Sequence, residues 1–328
     1  MNIVYACDNN FAEIMGVSML SLFENNKDQS EIEVYVLDSS IEEENRLKLE
    51  SLTAQYHRQI SFISTENIST RLNSIRQDRG GASQFARLFL SELLPDSCER
   101  VLYLDCDTIV RHSLNDLYST DFEGNVICGV MDCISKQHKA RLGLGEDSLY
   151  INSGMLLVDM RAWREHCVDG SVEKVVNQFN GRVPYADQGI INLALQGKIK
   201  SVHPRYNCIS VYTAFSFNDL LEYRQPSACL SSAEIEEAKN DPVVAHFVTL
   251  FCISRPWMEN SAGPFFDEWK MYKEKTPWKD SPNRPIKKNL LHKFAAGLYK
   301  YAPRSVSLTL LGFLHARIKP IVMGYKPF

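Results

Sequence analysis

The sequence predicts an α/β protein in which helices flank a mostly parallel central sheet. The first third of the chain alternates short apolar runs with amphipathic stretches, in the order strand, helix, strand, helix, strand, which is typical of a parallel sheet wrapped by helices. The chain has 328 residues and is 45% hydrophobic, enough for one large domain or two smaller ones. The apolar run Val101–Leu104 leads directly into Asp105 and Asp107, and ligands of such sheets bind where strands end.

The early elements follow from apolar periodicity. The runs Ile3–Cys7, Glu33–Leu37 and Ile60–Ile63 are short and apolar, as expected of buried strands. Phe11–Phe23 carries apolar residues near helical spacing, and Glu42–Tyr56 is a strongly charged amphipathic segment. These five segments therefore predict three strands joined by two helices.

The later elements are predicted in the same way. A helix is expected over Ser83–Leu94, with Ser83 as its N-cap and Pro95 ending it. Further apolar runs predict strands, and longer amphipathic segments predict helices. The strands are expected at Val101–Leu104, Val126–Val130, Met155–Val158 and Val243–Phe247, and the helices at Arg161–Phe179 and Asp187–Gln196.

Composition narrows the class of protein. A net charge of −4 gives the whole molecule no general attraction to nucleic acid. The nine cysteines contain no CxxC pair, which disfavours a zinc site and indicates buried thiols in a reducing compartment. Met1–Asp8 lacks a basic n-region, and no apolar run reaches the roughly 18 residues that span a bilayer. We therefore expect a cytoplasmic protein.

The two carboxylates after Val101–Leu104 are the sharpest local feature. Asp105 and Asp107 stand at i and i+2, where a strand end and its turn can bring both side chains to one point. Hard oxygen ligands there suit Mg²⁺ or Mn²⁺ holding a diphosphate. Two alternatives stand beside this interpretation. The pair can simply cap a turn, or Asp-Cys-Asp-Thr can resemble the motif of haloacid-dehalogenase-type phosphatases, although about a hundred residues precede it and no downstream acidic pair follows.

Five separated blocks lie between Met1 and about Trp257. They are Ile3–Phe11, Ser83–Leu88, the D-x-D of Asp105 and Asp107, Tyr150–Val158 followed by Asp187–Gly189, and Val244–Phe247 followed by Arg255–Trp257. They occur in the order found in glycosyltransferase family 8, and the sequence resembles that family of retaining enzymes, which includes bacterial lipopolysaccharide glucosyl- and galactosyltransferases and the glycogenins. The resemblance implies the GT-A fold, with a Rossmann-like, mostly parallel central sheet flanked by helices. It also implies a UDP-sugar donor and a divalent metal.

The first two blocks concern the nucleotide. The resemblance implies that the strand end containing Ala6, Asp8 and Asn10 holds the uracil and ribose; alternatively, Asn10 caps the following helix. In the second block, an arginine inside an otherwise apolar helix needs an anionic or polar partner. The resemblance assigns this residue, Arg87, to the donor sugar and diphosphate, and a structural ion pair is the alternative.

The third and fifth blocks supply the metal ligands. The resemblance implies that Asp105, Asp107 and His246 bind the metal, with Asp105 also close to the sugar or ribose. Imidazole together with carboxylates suits Mn²⁺ better than Mg²⁺, which remains a possible cofactor. The fifth block departs from the family pattern H-F-x-G-x-x-K-P-W: it is longer by three residues, lacks the glycine, and has Arg255 in place of lysine. Arg255 can still bind phosphate, bidentately.

The fourth block concerns the sugar and the acceptor. The resemblance places Asn152, Asp187 and Gln188 in the sugar pocket, with Asp187 and Gln188 as the catalytic pair; Asp187 can alternatively cap a helix. Asp132 is the implied acceptor contact. Retention allows two routes, a covalent intermediate on Asp187 or Gln188, or entry of the acceptor on the face of the leaving group. We favour the second because an amide is a poor nucleophile.

The resemblance thus implies metal-dependent, retaining transfer of glucose or galactose from a UDP-sugar to an acceptor hydroxyl, on a cell-surface glycan or lipopolysaccharide. A non-catalytic sugar-nucleotide-binding protein of the same fold is one alternative, and the phosphatase is another. Which hexose, which acceptor and which oligomeric state apply are not determined by the sequence.

The end of the chain differs from the rest. We expect a catalytic domain over residues 1–258 and a basic, aromatic tail over residues 259–328. Residues 283–328 contain no Asp or Glu, and Lys287–Tyr301 places apolar residues on one helical face with lysines away from it. Such a helix binds an anionic membrane surface. The alternative is that these apolar residues pack on the catalytic domain.

Overall fold

A computed structural model describes residues 1–75, 82–286 and 290–322. Lys287, Lys288 and Lys326 of the predicted basic tail lie outside the described residues. Strands make up the centre of the molecule. They are β1 (Asn2–Asp8), β2 (Glu33–Ser39), β3 (Gln59–Ser64), β4 (Arg100–Leu104), β5 (Thr108–Val110), β6 (Ile127–Met131), β7 (Ile151–Asp159), β8 (Ile199–Val202), β9 (Cys208–Ile209) and β10 (Val244–His246).

Helices surround these strands. They are α1 (Ala12–Asn25), α2 (Glu43–Gln55), α3 (Ser69–Ser74), α4 (Leu90–Leu93), α5 (Asn115–Tyr118), α6 (Lys136–Arg141), α7 (Met160–Glu165), α8 (Val168–Gln178), α9 (Ala186–Ala194), α10 (Ser210–Ala214), α11 (Phe217–Arg224), α12 (Ser232–Asn240), α13 (Phe266–Lys273), α14 (Leu290–Tyr301), α15 (Arg304–Phe313) and α16 (Lys319–Val322). Segments of 3₁₀-helix occupy Asn9–Phe11, Glu66–Ile68, Ala82–Leu88 and Pro204–Asn207, and Leu314–Ile318 is a π-helix.

Among the described residues, a seven-stranded sheet runs in the order β3-β2-β1-β4-β7-β6-β8. Only β7 lies antiparallel to its neighbours β4 and β6, so the predicted mostly parallel α/β sheet is confirmed. A strand that is buried on both faces needs a continuous apolar run. The apolar run Ile3–Cys7 meets this need, and β1 is buried along its centre. A smaller sheet has the strand order β5-β10-β9. Because β10 pairs with β5, it lies close to the segment that follows β4.

Two predicted helices are interrupted. The segment predicted as one α-helix over Ser83–Leu94 is a 3₁₀-helix followed by the short α4, because consecutive residues from Phe85 to Phe89 are nearly all buried, which one amphipathic helix does not allow. The segment Arg161–Phe179 is broken at Cys167, whose φ is +48°. This break lets the Asp169 carboxylate accept a hydrogen bond of 2.6 Å from the buried indole of Trp163.

The C-terminal part of the chain packs in two places. Phe266, Trp269 and Trp278 lie in the same core as β1 and α1. Further along the chain α15 packs on α11, and a Cβ built on Gly312 would meet the Glu222 carbonyl at 2.3 Å, so only glycine permits this approach. The division of the chain at residue 258 stays a prediction. In the described part of the chain, no helix combines the length and apolar character that crossing a membrane requires.

Candidate active site

Three side chains predicted as metal ligands lie together. Asp105 and Asp107 follow β4, and His246 ends β10, which pairs with β5 so that His246 stands opposite Thr108. The imidazole Nε2 of His246 lies 3.2 Å from Asp107 Oδ1 and 3.7 Å from Asp105 Oδ2. One ligand atom from each of the three lies within 4.8 Å of the others. Two carboxylates and an imidazole are a donor set that fits a divalent cation such as Mn²⁺.

The imidazole of His246 is held on both sides. Its Nδ1 lies 2.9 Å from the Asn207 side-chain oxygen, so Nε2 faces the carboxylates. A Cβ built on Gly154 would lie 2.2 Å from His246 Cε1. Because Gly154 has no side chain, it leaves the space into which the imidazole fits.

The negative charge of the Asp107 carboxylate is paired with a cation of the protein. Arg255 Nη2 lies 2.9 Å from Asp107 Oδ2. Burial raises the pKa of Asp107, but the charges of Arg255 and His246 outweigh it and leave that pKa well below its ordinary value. Burial lowers the pKa of His246, but Asp107 and Asp105 more than compensate, so the pKa is raised. The guanidinium of Arg255 and the imidazole of His246 thus both face the Asp107 carboxylate, a predicted metal ligand.

Arg87 lies between the predicted metal ligands and the predicted sugar pocket. It is almost fully buried, and its guanidinium lies 2.7 Å from Asp105 Oδ1 and 3.5 Å from Asp187 Oδ2. It also donates to the Ser153 carbonyl at 2.9 Å and lies over the Tyr103 ring at 4.2 Å. Burial lowers the pKa of Arg87, but the nearby carboxylates of Asp105 and Asp187 raise that pKa by more, so the residue is a fixed cation.

The predicted catalytic pair, Asp187 and Gln188, lies at the start of α9. Asp187 is buried and accepts a hydrogen bond of 2.8 Å from the Ser153 hydroxyl, and burial raises the pKa of Asp187 despite the nearby Arg87. The predicted alternative, a capping role for Asp187, is not realised as an N-cap, because Tyr185 holds that position. Tyr185 and Ala186 have φ of +65° and +54°. Two left-handed non-glycine residues are a strained way to begin a helix, and such strain is concentrated at functional sites.

Gln188 is held at both ends of its amide. Its side-chain oxygen accepts from Asn152 Nδ2 at 2.9 Å and from the Ser153 backbone N–H at 3.4 Å. Its side-chain nitrogen donates to Asp132 Oδ2 at 3.1 Å. Asn152, Gln188 and the predicted acceptor contact Asp132 therefore form one hydrogen-bonded group beside Asp187.

The predicted nucleotide residues lie at the carboxyl end of β1. Asp8 caps the turn after the strand by accepting from the backbone N–H of Asn10 at 3.0 Å and of Phe11 at 3.2 Å. Asn10 does not cap the helix that follows, because the N-cap position of α1 is Phe11, which makes no side-chain capping hydrogen bond. Because β1 pairs with β4, this end lies next to the predicted metal ligands, and the Cys106 thiol donates to the Ala6 carbonyl at 3.3 Å.

Sequence reasoning missed two residues of the site. Asn207 is fully buried between His246 and Asn152. Arg224, at the end of α11, lies 3.3 Å from Asp132 Oδ1, and Asp132 outweighs the effect of burial and raises the pKa of Arg224. Neither residue belongs to a block of the family pattern. In the sequence, Arg224 looks like an exposed residue at a helix end, and Asn207 like a turn residue, so no local signal distinguishes them.

The comparison with known proteins agrees with this geometry. The profile of Glycosyl transferase family 8 matches residues 2–261, so the chain belongs to that family. It is a glycosyltransferase, and the phosphatase and non-catalytic alternatives are set aside. Among relatives, it is 25% identical to General stress protein A of Bacillus subtilis (87% of this chain, 97% of that protein). It is also 24% identical to a lipopolysaccharide 1,2-glucosyltransferase of Escherichia coli (88% and 81%).

A third relative is a lipopolysaccharide 1,3-galactosyltransferase of Salmonella typhimurium, which is 25% identical over 84% of this chain and 79% of that protein. Among solved structures, the galactosyltransferase LgtC in complex with donor and acceptor sugar analogues superposes with a TM-score of 0.73 at 24% identity, covering 85% of this chain and 99% of that one. This match shows the GT-A fold that the sequence resemblance implied.

Proposed function

We propose that this glycosyltransferase uses a divalent metal, Mn²⁺ or alternatively Mg²⁺, to transfer glucose or galactose from a UDP-sugar to an acceptor hydroxyl with retention of configuration. The observation that carries the proposal is the convergence of Asp105, Asp107 and His246 beside the buried Arg87. Hard oxygen ligands and a fixed cation at the carboxyl end of a parallel sheet are what a nucleotide diphosphate needs. The relatives named as glucosyl- and galactosyltransferases support a hexose donor.

The nucleotide has a defined place in this proposal. Asp8, Asn10 and the backbone near Ala6 lie where β1 ends, beside the metal ligands, and offer hydrogen-bonding groups to uracil and ribose. Arg87 and Arg255 supply fixed positive charge where negative charge grows on the leaving diphosphate. The metal, when bound, supplies a Lewis acid that neutralises the same charge.

The arrangement of Gln188 bears on how configuration is retained. Its amide oxygen already accepts two hydrogen bonds, which leaves it poorly placed to form a bond to carbon. We therefore favour entry of the acceptor on the face of the leaving group, with a diphosphate oxygen taking the acceptor proton. Asp187, Gln188 and Asn152 then orient the sugar and stabilise an anomeric carbon with oxocarbenium character.

We propose that the acceptor is a cell-surface glycan or lipopolysaccharide, contacted at Asp132, and that the enzyme works at the cytoplasmic face of an anionic membrane. The tail supports this in part. Leu308 and Leu311 pack on the body, whereas Leu290, Leu291 and Phe294 of α14 are 83%, 78% and 59% exposed. An exposed apolar helix face near basic residues is suited to a lipid surface.

A donor screen tests the enzymatic part. Purified protein with Mn²⁺ or Mg²⁺ is given UDP-glucose, UDP-galactose or UDP-GlcNAc, and released UDP is measured. We expect metal-dependent UDP release from UDP-glucose or UDP-galactose and, when an acceptor glycan is also supplied, an α-linked product by NMR. A β-linked product, or release from none of the donors, would contradict the proposal.

The membrane part is tested separately. The triple variant Leu290→Ser, Leu291→Ser and Phe294→Ser removes exposed apolar groups and leaves the buried side of the tail intact. Wild-type protein is expected to sediment with anionic liposomes at low salt, and the variant to remain in the supernatant while still cleaving its donor. Equal sedimentation of both proteins would show that this face does not bind lipid.

A further inference from the structure

A chain of side-chain hydrogen bonds connects the metal ligands with the sugar pocket. His246 Nδ1 lies 2.9 Å from Asn207 Oδ1, and Asn207 Nδ2 donates to Asn152 Oδ1 at 2.7 Å. Asn152 Nδ2 donates to Gln188 Oε1 at 2.9 Å, and Gln188 Nε2 donates to Asp132 Oδ2 at 3.1 Å. Every link is of ordinary hydrogen-bond length. Asn207 is the link of this chain that joins His246 to Asn152.

The backbone fixes the direction of this chain. The Gly154 N–H donates to Asn152 Oδ1 at 3.0 Å, and the Ser153 N–H donates to Gln188 Oε1 at 3.4 Å. A backbone N–H can only donate, so the side-chain atom that receives it must be the amide oxygen. Asn152 therefore points its NH₂ group at Gln188, and Asn207 must point its own NH₂ group at Asn152.

This direction determines the tautomer of His246. With its NH₂ group used on Asn152, Asn207 presents its oxygen to His246 Nδ1, which must then carry a hydrogen. In the neutral imidazole the lone pair is then left on Nε2, the atom that faces Asp105 and Asp107. A histidine whose second nitrogen donates to a fixed acceptor is oriented for metal binding.

The fold holds Asn207 firmly in this place. It ends the 3₁₀ turn Pro204–Asn207 and leads into β9, which pairs with β10 so that Ile209 stands opposite His246. Its side chain is fully buried, so water cannot replace either hydrogen bond. An isosteric aspartate would keep an acceptor for the imidazole but would place an oxygen against the Asn152 oxygen. Only an amide satisfies both neighbours at once.

We propose that Asn207 is a positioning residue that couples the binding of a divalent cation to the orientation of the sugar-pocket amides. One end of its amide sets the His246 tautomer, and the other end sets Asn152 and, through it, Gln188. The inference rests on the proposed function, since it takes His246 as a metal ligand and Gln188 as a residue that faces the sugar.

Two substitutions separate the two ends. Asn207→Leu removes both hydrogen bonds, and loss of such an outer partner typically costs about 10- to 100-fold in metal affinity or activity. We expect that loss in the dissociation constant of Mn²⁺, measured by titration calorimetry without any donor. Asn207→Asp keeps the acceptor for His246, so Mn²⁺ affinity stays within about threefold of wild type or tightens, while kcat falls by about tenfold or more.

Asn26→Leu is the matched control. Asn26 is also fully buried; its amide accepts from the Leu114 N–H at 2.8 Å and donates to the Leu22 carbonyl at 2.9 Å. Both leucine variants lose two buried hydrogen bonds, so their melting temperatures should fall similarly. Only Asn207→Leu should lose Mn²⁺ affinity. If it folds too poorly for titration, Asn207→Asp decides the matter through its split between unchanged Mn²⁺ affinity and lowered kcat.

Wild-type Mn²⁺ affinity in Asn207→Leu, an equal loss of affinity in Asn26→Leu, or wild-type kcat in Asn207→Asp would overturn the inference and leave the proposed function standing. If the wild-type protein neither binds Mn²⁺ nor releases UDP, the proposed function fails first and the inference with it.

Discussion

Replacement of Arg255 by glutamine should change metal and donor binding in opposite directions. In the structure its guanidinium lies 2.9 Å from Asp107 Oδ2, so a cation of the protein already neutralises a predicted metal ligand. A divalent ion bound there meets this positive charge at close range. The donor diphosphate, in contrast, gains from it. Arg255→Gln should therefore bind Mn²⁺ more tightly in the absence of donor and bind the UDP-sugar more weakly.

The size of the effect follows from burial. The Arg255 side chain is 26% exposed and that of Asp107 11%, so the pair lies between a surface and a buried ion pair. Surface pairs contribute up to about 1 kcal/mol, and breaking a buried pair costs about 3–5 kcal/mol. We take about 1–2 kcal/mol for this one, which corresponds to about five- to thirty-fold in a dissociation constant.

Two titrations measure it. The Mn²⁺ dissociation constant is obtained without donor, and the donor KM is obtained at saturating Mn²⁺, for wild type and variant. Arg161→Gln is the control, because Arg161 is 74% exposed, pairs only loosely with Glu99 at 3.2 Å, and carries the same change of charge. If Arg255→Gln weakens Mn²⁺ binding, or leaves the donor KM unchanged, the argument from this ion pair is wrong.

Three further predictions concern the surroundings of the site. Gly154→Ala places a Cβ 2.2 Å from His246 Cε1 and should lower metal-dependent turnover by about tenfold or more, whereas Gly145→Ala, with nothing nearer than 3.6 Å, should not; equal rates would contradict this. Arg224→Met leaves the buried Asp132 unpaired and should lower the free energy of unfolding in urea by about 3–5 kcal/mol, and an unchanged midpoint would refute it. Burial lowers the pKa of His138 from 6.5 to about 3, so the stability gained from keeping it neutral is complete above about pH 6.5 and is lost as the pH falls toward 3. Between pH 7.5 and pH 5 this loss amounts to about 2 kcal/mol, so His138→Gln should lose about that much less stability than wild type, and an equal loss in both proteins would contradict it.

The sequence predicted much of the sheet because buried strands are short, apolar and locally recognisable. Val101–Leu104 became β4 with a change of one residue, and β1 and β2 extend the predicted runs by a residue or two at their ends. The helix over Ser83–Leu94 failed for a tertiary reason. Its apolar residues are buried on all sides, and the periodicity of a single amphipathic face does not describe such a segment.

The site likewise contains residues that the sequence predicted and residues that it did not. The structure brings Asp105, Asp107 and His246 together as the family resemblance implied, although about 140 residues separate the carboxylates from the imidazole. Asn207 and Arg224 could not be predicted, because their importance arises only from the partners that β9 and α11 bring to them. The roles of the individual site residues remain predictions.

The central claim is that metal-dependent sugar transfer takes place at Asp105, Asp107 and His246. The most direct measurement follows UDP release from the preferred UDP-hexose by wild type and Asp107→Asn, first after treatment with EDTA and then with Mn²⁺ added back. We expect EDTA to abolish wild-type release, Mn²⁺ to restore it, and the variant to stay inactive while its circular dichroism spectrum matches wild type. EDTA-treated wild type that transfers sugar at its native rate, or an active Asp107→Asn, would contradict the account.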